Sequence, residues 1–582
     1  MFLGVFHLLP FSPHALFGFR DFAKKPASRG AGRPLTMVDF TAPVPCYLRS
    51  ARRRWLSLIV VCFAMAVANG PVMCWQTLMP IMIESEGAFA STGRPLFHLD
   101  AVFAVGNGIG ALSNLPAGMV YDRIGPRRAA VAGALGTSVG LGGLALCLSF
   151  PSLNWGMYIF YPIATVMAFL NSWGAFAYLW LLPEHPSLVN AMVCAAFSLS
   201  DTLGMVAVQL HRNYGLPLHA FFVVLACGAL LAAVISTLLL PDKHEFTRLA
   251  AEAKAHMALN LARKADAAGK GAGAAADKEA GGAVPADEAP RGEPPDDDAD
   301  GRCARAALGC LPPTERTLLR DTAACVTLLH PQANRAILAH LLGLYLLPMT
   351  LLLKQYGYYL ALLGEPDATE LVNLFSLILG FCGAASVIGF GLVSDVIGVV
   401  GSFVVCDSLA LLFAAVVLLR SRAAQVVGMV LLTFMANAFF VLAPRLAMLY
   451  TPSELFGTYS GGVFSLLGLS QLVTTPIVDG VAYGVFYALP EATRAIARYQ
   501  FGIVVWAIAV VATAPALYRH WWRKPPPGTG RAVTCVPGGG WSQPLPTMAD
   551  VREARWQRAR SRAAPTEASR LVQTEANREA KR

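Results

Sequence analysis

The chain has 582 residues, of which 55% are hydrophobic and 14% charged, with a mean hydropathy of +0.52 and a formal net charge of +10. Soluble proteins carry about a quarter charged residues, so the composition excludes an ordinary water-soluble globule. A pI near 9.1 would also suit nucleic acid, but the sequence holds no recognition module for it, and none is expected as a partner.

The apolar residues gather in stretches of about 20, each long enough to cross a hydrocarbon core. The first 20 residues are apolar (Met1-Phe2-Leu3) but lack the positive leading region of a signal peptide. Met37 is therefore an alternative working start. Six spans are predicted near 55–82, 98–120, 128–150, 155–181, 188–211 and 218–240. Six more are predicted near 335–360, 369–393, 399–419, 425–445, 456–486 and 497–519. The expected fold is an all-α integral membrane protein with twelve transmembrane helices in two six-helix bundles.

Arg52-Arg53-Arg54 abut the first span, which predicts a cytoplasmic N-terminus over 1–54. Arg123, Arg127 and Arg128, and then Lys243 and Arg248, fall on the same side, as do Arg519 and Arg523 after the last span. Arg420 and Arg422 fall on the other side, against the rule. The N-terminal bundle is read as 55–240 and the C-terminal bundle as 335–520. Between them, 241–334 starts as an Ala/Lys/Glu-rich stretch suited to a solvated helix. It then turns to Gly, Ala, Pro and Asp296-Asp297-Asp298, a composition that cannot bury a core. The tail 521–582 carries Arg552, Arg555, Arg558, Arg560 and Arg562, which could touch anionic lipid but suit a solvated tail better. The 12 cysteines have neither zinc spacing nor a disulfide framework. No nucleophile motif or His-rich cluster stands near a membrane face, so no enzyme, cofactor or metal is expected.

Three features repeat between the halves. Gly118, Asp122, Arg123, Gly125 and Arg127 lie between spans 2 and 3; Gly391, Asp395 and Gly398 keep the spacing between spans 8 and 9. Gly70-Pro71 in span 1 pairs with Pro348 in span 7, within the stretch from Gly343 to Pro348. Pro186-Ser187-Leu188 before span 5 pairs with Pro452-Ser453-Glu454-Leu455 before span 11. All three offsets fall near ~270 residues, as expected of parallel repeats about an axis along the membrane normal.

Prolines within spans free carbonyls, and matched interruptions in two halves point to a substrate site. Asn69, Gly70 and Gly343 are candidates on that ground; structural kinks are the plain alternative. Asn69 and Gln76 are two helical turns apart, which would place them on one face of span 1. Asn171 lies mid-span 4 and Asn437 mid-span 10, where interhelical hydrogen bonding is the commoner role of an asparagine. Asp201, halfway along span 5, is the sharpest candidate, because a carboxylate at that depth must be paired or hydrated. A buried acid bonded to a neighbouring helix is the alternative. Asp407 in span 9 is weaker, Lys354 could snorkel, and Arg445 is read as a structural or lipid contact. Asp122 and Asp395 are read as a conformational latch, each bonding a neighbouring helix N-terminus or an arginine.

The loop Gly118-Met119-Val120-Tyr121-Asp122-Arg123-Ile124-Gly125-Pro126-Arg127-Arg128 resembles the signature of the major facilitator superfamily, at the place where that family has it. The C-terminal copy departs from it by lacking arginines. Leu115-Pro116-Ala117-Gly118, Glu84-Ser85-Glu86-Gly87 and Pro452-Ser453-Glu454-Leu455-Phe456-Gly457 resemble the L-type, large-neutral-amino-acid branch and the related apicomplexan amino-acid transporters. The resemblance implies passage of amino acids, neutral or cationic, by alternating access in a plasma membrane or endomembrane. Two other readings stay open: a carrier of another solute (a monocarboxylate or drug), and a nutrient sensor that does not transport.

Overall fold

The structure is a computed structural model. It describes residues 45–255, apart from 184 and 254, residues 378–523, and isolated positions between 321 and 374. The N-terminal segment before 45, most of 256–377 and the tail after 523 lie outside it, and with them Gly343, Pro348 and Lys354.

The described residues form helices. Span 1 is α1 (Ala51–Met73) and α2 (Trp75–Glu84). Then come α3 (Pro95–Ile124), α4 (Pro126–Ser149), α5 (Met157–Ala175) with the short α6 (Tyr178–Leu181), α7 (Pro186–Tyr214) and α8 (Leu218–Leu239). In the C-terminal half a π-turn at Ile378–Cys382 leads into α9 (Gly383–Val417). It is followed by α10 (Arg422–Tyr450), α11 (Phe456–Val485) and α12 (Glu491–Arg523). α9 holds the end of predicted span 8 and most of span 9, broken at Gly398, where φ is 76°. Gly125, with φ 86°, separates spans 2 and 3 in the same way. Both sit three residues after an aspartate and adopt a conformation that favours glycine.

The break in span 1 falls at Cys74, three residues past Pro71. Pro71 has no N–H to return to the Val67 carbonyl, yet the helix holds through Cys74 N–H, which reaches the Gly70 carbonyl at 3.1 Å. Asn69 and Gln76 therefore lie on opposite sides of a break, and the shared face expected from an unbroken helix does not follow.

Leucine and valine on α8 face outward, with Val224, Leu231, Val234 and Leu238 all more than half exposed. Such a face belongs in lipid rather than water. Small residues set the close contacts inside. A Cβ on Gly133 would meet the Asn171 backbone, and one on Gly140 the Ala164 backbone, so α4 and α5 touch nearly main chain to main chain. α1 and α7 meet through glycine against side chain, Gly70 against Leu203 and Gly204 against Cys74.

The start of the predicted linker differs from expectation. Residues 243–253 are helical, and Phe246, Leu249, Ala250 and Ala253 are buried. Their spacing is that of one apolar helix face, which docks on the basic end of the N-terminal half. Lys243 Nζ donates to the Arg123 carbonyl at 2.6 Å, and Arg127 Nη2 lies 3.7 Å from Glu245 Oε2.

The tightest approach joins the two halves. A Cβ on Gly118 of α3 would overlap the Gly457 carbonyl of α11, and one on Gly461 the Asn114 carbonyl. Gly118→Ala is expected to cost about 1–3 kcal/mol through forced separation of the helices. Gly142→Ala, at a helical site with open space around its Cβ, should be neutral or slightly stabilising. Thermal unfolding of the two purified variants checks this.

Candidate functional site

Two aspartates at the basic end each cap a helix of the other half. Asp122, at the end of α3, accepts from Gly457 N–H at 2.9 Å, Thr458 N–H at 2.6 Å and the Thr458 hydroxyl at 2.7 Å. Asp395, on α9, accepts from Ser187 N–H and Leu188 N–H, both at 3.0 Å. The donors are the second and third residues of α11 and of α7. N–H groups in a first helical turn have no intrahelical acceptor and carry the positive end of the helix dipole. The residue before α7, His185, supplies no side-chain cap of its own; the other half of the molecule provides it.

Arg127 of the N-terminal motif is engaged elsewhere. Arg127 Nε donates to the Leu240 carbonyl at 2.6 Å, which ties the loop to the end of α8 within its own half. Asp122 is instead held by α11 donors, while burial and the nearby Glu454 raise its proton affinity. Burial outweighs those donors and pushes the carboxyl up to about 7. The C-terminal copy, which lacks adjacent arginines, has Arg445 of α10 in electrostatic contact with Asp395. Arg445 Nε is buried without a hydrogen-bond partner among the described residues. The sequence offered no sign of that pairing, since the two residues are on different spans.

The central turns of α7 collect most of the other candidates. Ser198 donates to Asn437 Oδ1 at 3.3 Å, and Asn437 Nδ2 reaches the Gly383 carbonyl at 3.3 Å. Asn437 is thus a hydrogen-bonded tie between α7, α9 and α10. Ser200 donates to the Ala66 carbonyl of α1 at 2.9 Å, and Leu203 packs on Gly70. Asp201 stands between them on the α7 backbone; its side chain, like that of Gln76, lies outside what is described. Asn69 Nδ2 donates to Ser172 of α5 at 2.8 Å. Among the described residues its Oδ1 is buried with no partner, and so is Nδ2 of Asn171, the residue next to Ser172. α1 and α5 therefore meet at the Asn69–Ser172 contact, and Asn69 on α1 and Asn171 on α5 each keep one buried group without a partner among the described residues.

A family model described as the Major Facilitator Superfamily matches residues 73–475. The human organic anion transporter MFSD10 (TETRAN) is similar in structure at 17% identity and a TM-score of 0.48, over 80% of this chain and all of that one (100%). The proton:xylose symporter XylE bound to 6-bromo-6-deoxy-D-glucose matches at 11% identity and a TM-score of 0.48, over 80% of this chain and 97% of that chain. A double-tryptophan mutant of XylE matches at 11% identity and a TM-score of 0.51, over 80% and 94%. At such identities the likeness concerns fold alone. No curated protein matches the chain. With the family match spanning more than half its length, the chain belongs to the Major Facilitator Superfamily, whose fold is all-α with twelve transmembrane helices in two six-helix bundles.

Proposed function

We propose that the chain carries amino acids, neutral or cationic, across a membrane by alternating access. The observation that carries this reading is that Asn69 Oδ1 of α1 and Asn171 Nδ2 of α5 are each buried without a partner among the described residues. A buried polar atom without a partner is costly, by about 1–3 kcal/mol. A zwitterion offers both complements, its ammonium for the acceptor and its carboxylate for the donor. Gly70 lets Leu203 of α7 close against α1 beside Asn69, and Asp201 on α7 supplies negative charge for a substrate ammonium. Gln76 and Gly343 complete the proposed site from span 1 and the C-terminal half, while Asn437 ties α7, α9 and α10 beside it. The basic end is assigned to the cytoplasm by its arginines, and the plasma membrane is the proposed location.

Uptake of labelled amino acids into proteoliposomes, with all twenty as competitors, tests the substrate. Neutral or cationic amino acids should compete; competition by none of them sinks the reading. Asn69→Ala should lower uptake about tenfold, the loss of one buried hydrogen bond to substrate, with the protein still inserted. Asp201→Asn should change uptake or its pH dependence.

Asp122 and Asp395, with Gly118, Gly125, Arg123, Arg127 and Gly398 around them, act in this proposal as the latch that closes the cytoplasmic end. Opening would return the Asp122 carboxyl from about 7 to its ordinary value of about 3.9 in water. Between those values the closed form binds more protons, so acidification through about pH 7 should favour closure, and alkalinisation opening. Spin-label distances between α3 and α11 measured against pH check the sign. Asp122→Asn should remove this pH dependence and weaken closure at every pH, by about 1–3 kcal/mol for the donor left unpaired.

A further inference from the structure

One stripe of α7 carries donors turned on α10 of the other half. Asn190, Cys194 and Ser198 follow one another at four-residue steps, so they share a face of the helix, and all three are buried. Asn190 Nδ2 donates to the Phe440 carbonyl at 3.1 Å and to the Val441 carbonyl at 2.6 Å. Cys194 Sγ lies 3.5 Å from the same Phe440 carbonyl. Ser198, at the far end of the stripe, bonds the Asn437 side chain.

The Phe440 carbonyl is available for a chemical reason. Pro444 stands inside α10, four residues further on. Proline has no N–H, so this carbonyl lacks the donor that a regular helix would return to it. Within a membrane such a group must be satisfied by a neighbouring helix or by water. Here the donors come from α7, in the other half of the molecule. The same contact fixes the amide orientation of Asn190. Its Nδ2 has two hydrogens for two acceptors, whereas Oδ1 in that place would face two carbonyl oxygens.

Asn190 and Asn437 are used differently. Asn437 accepts through one end of its amide and donates through the other. Asn190 Oδ1 is buried without a partner among the described residues. Parting α7 from α10 would let water bond Asn190 Oδ1, its Nδ2 and the Phe440 carbonyl alike. The closed contact therefore costs little to break, as suits one that is made and broken in each cycle.

We propose that Asn190 is a positioning residue of the transport cycle, which recognises the proline-freed Phe440 carbonyl and holds α7 against α10 while the basic end is closed. This role rests on the alternating-access reading but not on an amino acid as substrate, so the uptake screen can fail without touching it.

Cys194 is a native reporter of the contact, because the same seam covers its thiol. The full chain in lipid nanodiscs is treated with a water-soluble maleimide, and modification at Cys194 is located and timed by mass spectrometry. Asn190→Ala should speed it about tenfold, the loss of roughly one buried hydrogen bond. Pro444→Ala restores an N–H for the Phe440 carbonyl within α10, and in that background Asn190→Ala should add only about twofold. If Asn190 merely fills space, its removal gives the same factor in both backgrounds, and that result overturns the proposal. So does a wild-type rate of modification in Asn190→Ala. Should Asn190→Ala fail to fold, Asn190→Leu, close in volume but without a donor, is read in both backgrounds by the same criteria.

Discussion

A carboxylate seated on the open N-terminus of a helix from the other half is the contact on which this arrangement depends. It occurs twice, Asp122 on α11 and Asp395 on α7. Each carboxylate meets two N–H groups that their own helix leaves unused, so one interaction satisfies donors and acceptor together. The geometry demands glycine nearby. Asp122 reaches Gly457 N–H because α3 and α11 approach main chain to main chain at Gly118 and Gly457, where a side chain on either would intrude. The helix must also end soon after each aspartate, and Gly125 and Gly398 end it with a positive φ.

Much of this device was legible in the sequence, but in pieces. The aspartate and glycine spacing stood out, and so did the pairing of Pro186-Ser187-Leu188 with the segment before span 11. These looked like two separate signs of duplication. In the fold they are the two partners of one contact: the aspartate motif of each half lands on the helix start of the other. Pairings across hundreds of residues have no local signature, so the sequence could show that both existed without showing that they meet. The same limit hid Arg445 beside Asp395, which stands in for the arginines missing there. The docked helix at 243–253 was a different failure. Its buried positions, Phe246, Leu249, Ala250 and Ala253, have ordinary helical periodicity, masked by the abundance of Ala, Lys and Glu around them.

Polar residues within the spans divide once their partners are known. Asn437 is fully engaged and reads as a tie between helices. Asn69 and Asn171 each keep a buried atom without a partner, a distinction that no sequence pattern carries. Asp407 stood out less than Asp201 because it lay nearer a membrane face. His340 carries no sequence signal, since a lone histidine in an apolar stretch is ordinarily a core residue. In the fold both belong to one buried hydrogen-bonded cluster with Tyr518 and Thr513.

The strength of the two caps suits a contact that forms and breaks. A hydrogen bond to a charged group contributes about 1.5–3 kcal/mol net, because water replaces it when the partners separate. Two such caps, with the serine and asparagine contacts around them, hold the halves together by an amount that substrate binding can offset. The seams are unequal, however. α3 and α11 touch through Gly118, Gly457, Gly461 and Gly468, and Asp122 takes three donors. α7 and α9 share two donors to Asp395, with Gly391 against Ser187 and Ala191. Dispersion between backbones in direct contact is lost steeply with the first ångström of separation. The α3–α11 seam should therefore resist separation more than the α7–α9 seam, so that the halves part first along α7 and α9 and pivot on the glycine-packed side.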